Sequence, residues 1–426
     1  MENLAITLRR AAALGALACA MATAAVAQAP EEDEMTEEER TEEAGEEDTA
    51  PLPPAGVPVL PDRPLMLRTG ASYSRDTNLF RSPNAAADNI GTAYVGLSLD
   101  KAYAQQRFRL DITETAYRYE NFSHLDFEGL NYLGAWTWQL GPRIGGALRA
   151  TRVESLADYS EFRNPGQQNV RTTEDFALSA DAWVFGGWHL TGALSRVKNR
   201  YSVPFPQEGS YEADGREAGV RWVAPSTNWL AFNLRSLDGR YTDRPLDPVA
   251  FLDDGFLRRE AEALAAWRLT GKSTLEGRVA HIDYTSNNFE QRDFSGIAAR
   301  LAFLWQATLK LGLSAAFARE IEPWADTSAS YRVDQRLTLG ASWQAAARAT
   351  LRLEARRGES DFRDPLPGFA GTPRHDKEGS VQLSAEWRAL RNLTLNAGAQ
   401  RYRQSSSDPA ANFQGSQLTA GASLLF

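Results

Sequence analysis

From Leu65 onward, apolar and polar side chains alternate with a period of two, segment after segment. Ala93, Val95, Leu97 and Leu99 oppose Tyr94, Gly96, Ser98 and Asp100, and Phe176, Leu178, Ala180 and Ala182 oppose Ala177, Ser179, Asp181 and Trp183. Later, Val333, Gln335, Leu337, Leu339, Ala341 and Trp343 face away from Arg332, Asp334, Arg336, Thr338, Gly340 and Ser342. Such alternation predicts strands with one apolar and one polar face. About 18 segments fit, the first at 65–75 and the last at 412–426. Residues 258–268 are strong helix formers, but Ala261, Ala263, Ala265, Trp267 and Leu269 also alternate and end at a turn, so a strand is predicted there too.

A β-sandwich and a transmembrane barrel share this period, and the connections distinguish them. Short ones at 140–143, 185–187, 224–228, 270–273, 306–308, 344–348 and 389–392 carry hairpin chemistry. Between them fall longer polar stretches at 76–89, 159–170, 204–210, 245–254, 287–292, 322–327, 361–374 and 405–412. Short turns on one side and long loops on the other describe an outer-membrane barrel, with the turns periplasmic. Ten of the 11 tryptophans sit beside short turns, where indole favours the bilayer interface, and only Trp324 lies in a long loop. The fold class expected is therefore all-β, a transmembrane antiparallel β-barrel of the Gram-negative outer membrane. An even strand count puts both ends in the periplasm. Leu418, Ala420, Ala422, Leu424 and Phe426 form the lipid-facing stripe of the closing strand. A terminal aromatic such as Phe426 resembles the signal read by the barrel assembly machinery.

Composition adds a leader and a tail. Arg9 and Arg10, the apolar run 11–25 and Ala25-Val26-Ala27 read as a signal peptide, 1–27, which holds the single cysteine, Cys19. Residues 28–64 are acidic, then proline-rich, and read as a disordered periplasmic tail. The tail accounts for the net charge of −9, because 65–426 carries 42 Lys and Arg against 41 Asp and Glu. Such a tail is either a solvated spacer or a dock for a basic periplasmic export partner, by a contact that salt would weaken. Residues 65–426 form the barrel.

Catalytic chemistry is scarce. The sequence contains no phosphate-cradling glycine loop, metal-ligand cluster or nucleophile elbow, and His124, His189, His281 and His375 are scattered. No enzyme, metal, cofactor or nucleic-acid partner is expected. The informative residues lie on the polar face, where Arg109, Arg221, Arg235, Arg278, Arg300, Arg332, Arg336, Arg352 and Arg356 take lumen positions. A planar donor fork suits carboxylates, phosphates and sugar hydroxyls, so these residues are candidate contacts for a polysaccharide or an anionic solute. Pairing with Asp111, Asp181, Asp334 and Glu354 is the alternative.

After the first strand comes Asp76-Thr77-Asn78-Leu79-Phe80-Arg81. Here the chain resembles the EpsL-like outer-membrane barrels associated with exopolysaccharide systems, which carry an Asp-x-Asn-Leu-Phe-Arg motif after an early strand. Asp76, Asn78, Leu79, Phe80 and Arg81 are the matching positions. The resemblance implies polysaccharide export across the outer membrane. A general or anion-selective diffusion porin is the alternative reading, and a structural, adhesive or enzymatic surface barrel the third. Physically, Asp76 and Asn78 suit an Asx turn, with Leu79 and Phe80 packing the loop on the rim or folding it inward to constrict the lumen.

Overall fold

The computed structural model describes residues 64–426; the expected signal peptide and all of the acidic tail except Pro64 lie outside the described residues. Eighteen strands follow in order. They are β1 (Leu65–Asp76), β2 (Asp88–Tyr103), β3 (Gln106–Tyr119), β4 (Phe127–Leu140), β5 (Ile144–Leu156) and β6 (Val170–Phe185). Next come β7 (Trp188–Tyr201), β8 (Tyr211–Val223), β9 (Trp229–Tyr241), β10 (Gly255–Thr270), β11 (Ser273–Ser286) and β12 (Phe294–Thr308). The set ends with β13 (Leu311–Pro323), β14 (Tyr331–Ala346), β15 (Ala349–Arg363), β16 (His375–Arg388), β17 (Leu393–Ser406) and β18 (Phe413–Leu425). A four-residue helix, α1 (Tyr159–Phe162), sits between β5 and β6. The ambiguous stretch 258–268 is strand, inside β10.

Each strand pairs antiparallel with its chain neighbours, and β1 pairs with β18 from Arg68↔Leu425 to Asp76↔Gln417, so the sheet closes without an edge. Phe426 exchanges backbone hydrogen bonds with Leu67, at 2.9 and 3.1 Å, which ties the chain end into the wall. Closure leaves no strand edge open to lipid, as a membrane-spanning sheet requires.

Register separates the two faces. Phe176, Leu178, Leu190, Leu194, Phe232, Leu234, Val279, Leu301, Leu339, Leu353, Leu383 and Leu418 point outward and are 41–59 % exposed, the band that lipid covers. Trp136, Trp188, Trp267, Trp305, Trp343 and Trp387 lie at the short-turn ends with exposures of 36–53 %. Strands of 12–16 residues exceed the span of the hydrocarbon. Their outward residues beyond the apolar band are therefore polar, as in Arg196, Lys198 and Arg200 on β7.

The short-turn end differs from expectation in two places. An eighth tight turn, at 104–105, joins β2 to β3, and Ala104 supplies its positive φ of 52° where no glycine marked it. The β12–β13 turn falls at 309–310 instead of 306–308, because a bulge between Gln306 and Thr308 extends β12. The buried apolar residues gather at the opposite end, among the long loops.

Candidate functional site

Nine long loops, L1 to L9, span 77–87, 120–126, 157–169, 202–210, 242–254, 287–293, 324–330, 364–374 and 407–412. Local chemistry shapes L3. The Asp158 carboxylate accepts from Ser160 N at 2.8 Å to start α1, and Arg163, at φ 50°, ends it with its N–H on the Tyr159 carbonyl. This places Tyr159, Glu161, Phe162 and Arg163 on one compact element.

From it a chain of aromatic rings crosses the mouth. Phe122 meets Phe80 with centroids 4.8 Å apart, Phe80 meets Tyr159 at 5.2 Å, and Tyr159 meets Phe162 at 5.9 Å. Phe162 then meets Phe205 at 5.9 Å, Phe205 meets Trp324 at 6.2 Å, and Trp324 meets Phe362 at 5.3 Å. All six contacts are edge-to-face, the arrangement that ring quadrupoles favour. The Arg374 guanidinium lies 4.5 Å from the Phe362 ring centre and donates two hydrogen bonds, of 2.8 and 2.9 Å, to the Glu161 carboxylate. The spine is thus clamped back onto L3.

Position decides what these contacts do. Glu161 precedes β6 and Arg374 precedes β16, so the loops that carry them lie on opposite sides of the 18-strand ring. Their ion pair can form only over the lumen. Arg163 reaches Asp408 of L9 at 2.8 Å, and Ala325 N of L7 donates to Gln207 O of L4 at 2.9 Å, so loops from across the ring meet as a cap.

A second anchor joins L6 to L5 and L7. Arg292 of L6, 5 % exposed, donates to the carbonyls of Asp326 and Ala329 at 2.7 and 2.8 Å and of Ala250 and Phe251 at 3.1 and 3.2 Å. Burial first, and the nearby Arg244 charge second, pull its pKa down to about 10. Beneath it Tyr241, Phe256, Tyr284 and Phe294 form a row on β9 to β12, with Phe256–Tyr284 and Tyr284–Phe294 stacked at 5.2 and 4.7 Å. Arg244 lies 3.8 Å from the Tyr241 ring centre.

The Asp-x-Asn-Leu-Phe-Arg stretch supports the cap from the side. Asp76 Oδ1 accepts from Asn78 N at 2.8 Å, an Asx turn, and from the Tyr402 hydroxyl at 2.5 Å. Asn78 Nδ2 donates to the Ser82 and Gln414 carbonyls at 2.8 and 3.0 Å. Arg81 pairs with Asp76 at 2.9 Å and lies 3.9 Å from the Tyr402 ring centre. Phe80 is buried against Leu125 and Tyr159, with Leu79 packed at the margin. L1 is therefore fixed to β17 and β18 and feeds one ring into the spine, while L3, L4, L7 and L8 do the spanning.

Below the cap, carboxylates meet the lumen arginines. Arg109 pairs with Asp100 at 3.2 Å, Arg221 with Asp181 at 2.7 Å, Arg235 with Glu217 at 2.8 Å, and Arg278 with Glu260 and Glu262 at 2.5 and 2.7 Å. Arg300 pairs with Glu320, Arg332 with Asp334 at 2.8 Å, Arg352 with Glu386 at 3.0 Å, and Arg356 with Glu354 at 2.6 Å. Of the nine, only Arg336 has no ion-pair partner among the described residues. The lumen is polar but locally neutralised, and sugar or anion contacts there would have to share donors already engaged.

Sequence reasoning missed Tyr159, Phe162, Phe205 and Phe362 as parts of the site. One signal did point there: Trp324, the tryptophan away from the short turns, is 4 % exposed and sits inside the spine.

No family model and no curated protein matches the chain. Solved structures do resemble it. OccK9 (OpdG) of Pseudomonas aeruginosa aligns over 85 % of this chain and 98 % of its own, at 13 % identity and a TM-score of 0.50. OccK2 (OpdF) of the same organism, solved with glucuronate, aligns over 86 % and 97 % at 12 % identity and 0.49. A mutant of its ferric enterobactin receptor PfeA aligns over 85 % and 80 % at 9 % identity and 0.45. The likeness to OccK9 is one of fold. With its closed ring, apolar outer band and tryptophan girdle, the chain is an 18-stranded β-barrel of the outer membrane.

Proposed function

We propose that this barrel is a gated diffusion channel, a porin for small hydrophilic solutes whose extracellular mouth is closed in the structure described. The observation that carries this reading is the coexistence of two features. A ring of 18 strands encloses a polar, ion-paired lumen, which at that size holds water. Its cap is held by one aromatic spine, a few ion pairs and loop-to-loop hydrogen bonds such as those of Arg292, not by wall ladders. Paired arginines leave little net field in the lumen, so weak charge selectivity is expected, with Arg336 the main bias toward anions. The test is swelling of vesicles loaded with the purified chain, using neutral disaccharides and monovalent sugar acids. Slow entry of both that accelerates when the spine is broken supports the reading. Entry that stays nil after the spine is broken opposes it.

A second reading, export of a polysaccharide, rests on the Asp76–Arg81 motif and its EpsL-like resemblance. It requires polymer to block current from one side only, which single-channel recording with an oligouronate on either side would detect.

A further inference from the structure

The outward face of the wall carries charge in two different ways. On β7 to β8, basic side chains beyond the apolar band are neutralised in place: Arg196 and Arg200 reach Glu212 at 3.2 and 2.7 Å, and Arg196 also approaches Asp214 at 3.8 Å. On β15 to β1 the same level of the wall carries Arg357, Lys377, Arg401, Arg403 and Arg75, all exposed. Among the described residues, Lys377, Arg401, Arg403 and Arg75 have no carboxylate partner, and Arg357 has only Glu359 at 4.0 Å with its own side chain 76 % exposed.

Register turns part of this patch into a cleft. Arg357 on β15 pairs with Gly379 on β16, and Gly379 pairs with Arg403 on β17, so two arginines flank a residue without a side chain in one row. A Cβ at Gly379 would meet only the Arg356 carbonyl oxygen, at 3.8 Å, so the floor is open. With strands about 4.8 Å apart, the flanking arginines stand roughly 10 Å from each other, and both guanidinium groups can close on one group above the glycine. Lys377 lies two residues beyond Gly379 on the loop side, and Arg401 flanks Val381 on the lipid side. Val381 is 52 % exposed and Leu383 is 51 % exposed, so the cleft stands directly on the lipid-covered band.

We propose that this cleft binds the phosphate of a phosphorylated glycolipid in the outer leaflet. Guanidinium forks match phosphate oxygens two at a time, and a phosphate at the level where acyl chains end would lie against the floor while its chains cover Val381 and Leu383. The site rests only on the outer-membrane placement of the barrel and is independent of what passes through the lumen.

The experiment uses the full chain refolded into vesicles of phosphatidylethanolamine containing diphosphorylated lipid A, followed by detergent exchange and mass measurement of the retained lipid. The intact protein should retain lipid A. The Arg357→Gln, Arg403→Gln double variant should retain about thirtyfold less, the weight of two arginines toward an anionic headgroup. The Arg196→Gln, Arg200→Gln variant should retain as much as the intact protein, and lipid A stripped of phosphate should not be retained. Each variant is first checked for a heat-modifiable folded band, and the single variants Arg357→Gln and Arg403→Gln stand in if the double variant fails to refold. Undiminished retention by the Arg357 and Arg403 variants, equal retention of the phosphate-free lipid, or no retention by the intact protein would each overturn the proposal.

Discussion

The wall and the cap of this barrel are built from the same residue types and held in opposite ways. In the wall, arginines and carboxylates pair along or between strands whose backbone ladders already fix them, as where Arg278 bridges Glu260 and Glu262. In the cap, Arg374 and Glu161 pair between loops from opposite sides of the ring, and the pair itself helps to hold them together. Aromatics divide likewise. Outward Trp343 and Trp387 are half-exposed to the interface, whereas Trp324 is enclosed by Phe205 and Phe362. Redundancy is therefore high in the wall and low in the cap, and perturbations of similar chemistry should have different readouts.

The largest effect expected is from Trp324→Ala. Deleting a buried indole costs about 3–5 kcal/mol, and here the loss falls on the closed cap alone. Open probability in planar bilayers should rise more than a hundredfold while the melting temperature of the folded band stays near that of the parent. A wall melting in parallel would erase the distinction drawn between the two regions.

Arg374→Ala should act in the same direction, by about 3 kcal/mol, because it strands the buried Glu161 carboxylate. Single-channel records should show long openings, and restoring the charge with lysine should recover only part of the closure, since Lys lacks the two-pronged fork. The matching wall change is Glu262→Ala, which removes a 2 % exposed carboxylate that accepts from Arg278 and Asn233. Arg278 keeps Glu260, so the expected cost is about 2–3 kcal/mol, read as a lower unfolding midpoint in denaturant with unchanged gating.

Arg163→Ala removes the pair to Asp408, whose side chains are 35 % and 38 % exposed. Exposed pairs contribute about 0–1 kcal/mol, so closure should weaken by no more than severalfold, and less at high salt.

The smallest effect is that of pH, and its sign is informative. Burial holds the Glu161 carboxyl above its ordinary value of 4.5, outweighing Arg374 and Arg332. A loop released into water returns that value to the ordinary one, so the closed form binds the proton more tightly and gains from acidification. Openings should become rarer as pH falls from neutral toward the ordinary glutamate range. Asp408 works the other way: its hydrogen bond from Arg163 lowers its pKa, so its contribution is present at neutral pH and is lost only below the ordinary aspartate range. Openings that increase steadily from neutral pH would show that Glu161 is not closed off from water.

The wall was legible in the sequence because its determinants are local. Alternation over a dozen residues sets each strand, and glycine or polar clusters mark most turns. The turn at 104–105 escaped because Ala104 adopts a left-handed backbone without glycine. The cap was not legible, since its partners are far apart in the chain: Glu161 and Arg374 are 213 residues apart, and Arg163 and Asp408 are 245 apart. Parity puts the nine arginines on the inward face, and the pairs Arg332–Asp334 and Arg356–Glu354 lie two residues apart on one strand, whereas pairs such as Arg235–Glu217 depend on cross-strand register, which alternation alone does not fix. The Asp76–Arg81 motif carried a family resemblance, and its side chains anchor L1 to β17 and β18.

The central claim is that solute passes through the lumen and that the cap controls the passage. Its most direct test is a chain with Glu161→Cys and Arg374→Cys, recorded in a planar bilayer before and after a short bifunctional thiol reagent joins the two loops. The account predicts frequent openings in the free dithiol form, silence after cross-linking, and recovery when a reducible linker is cut. Conductance that is the same before and after a verified cross-link would contradict it.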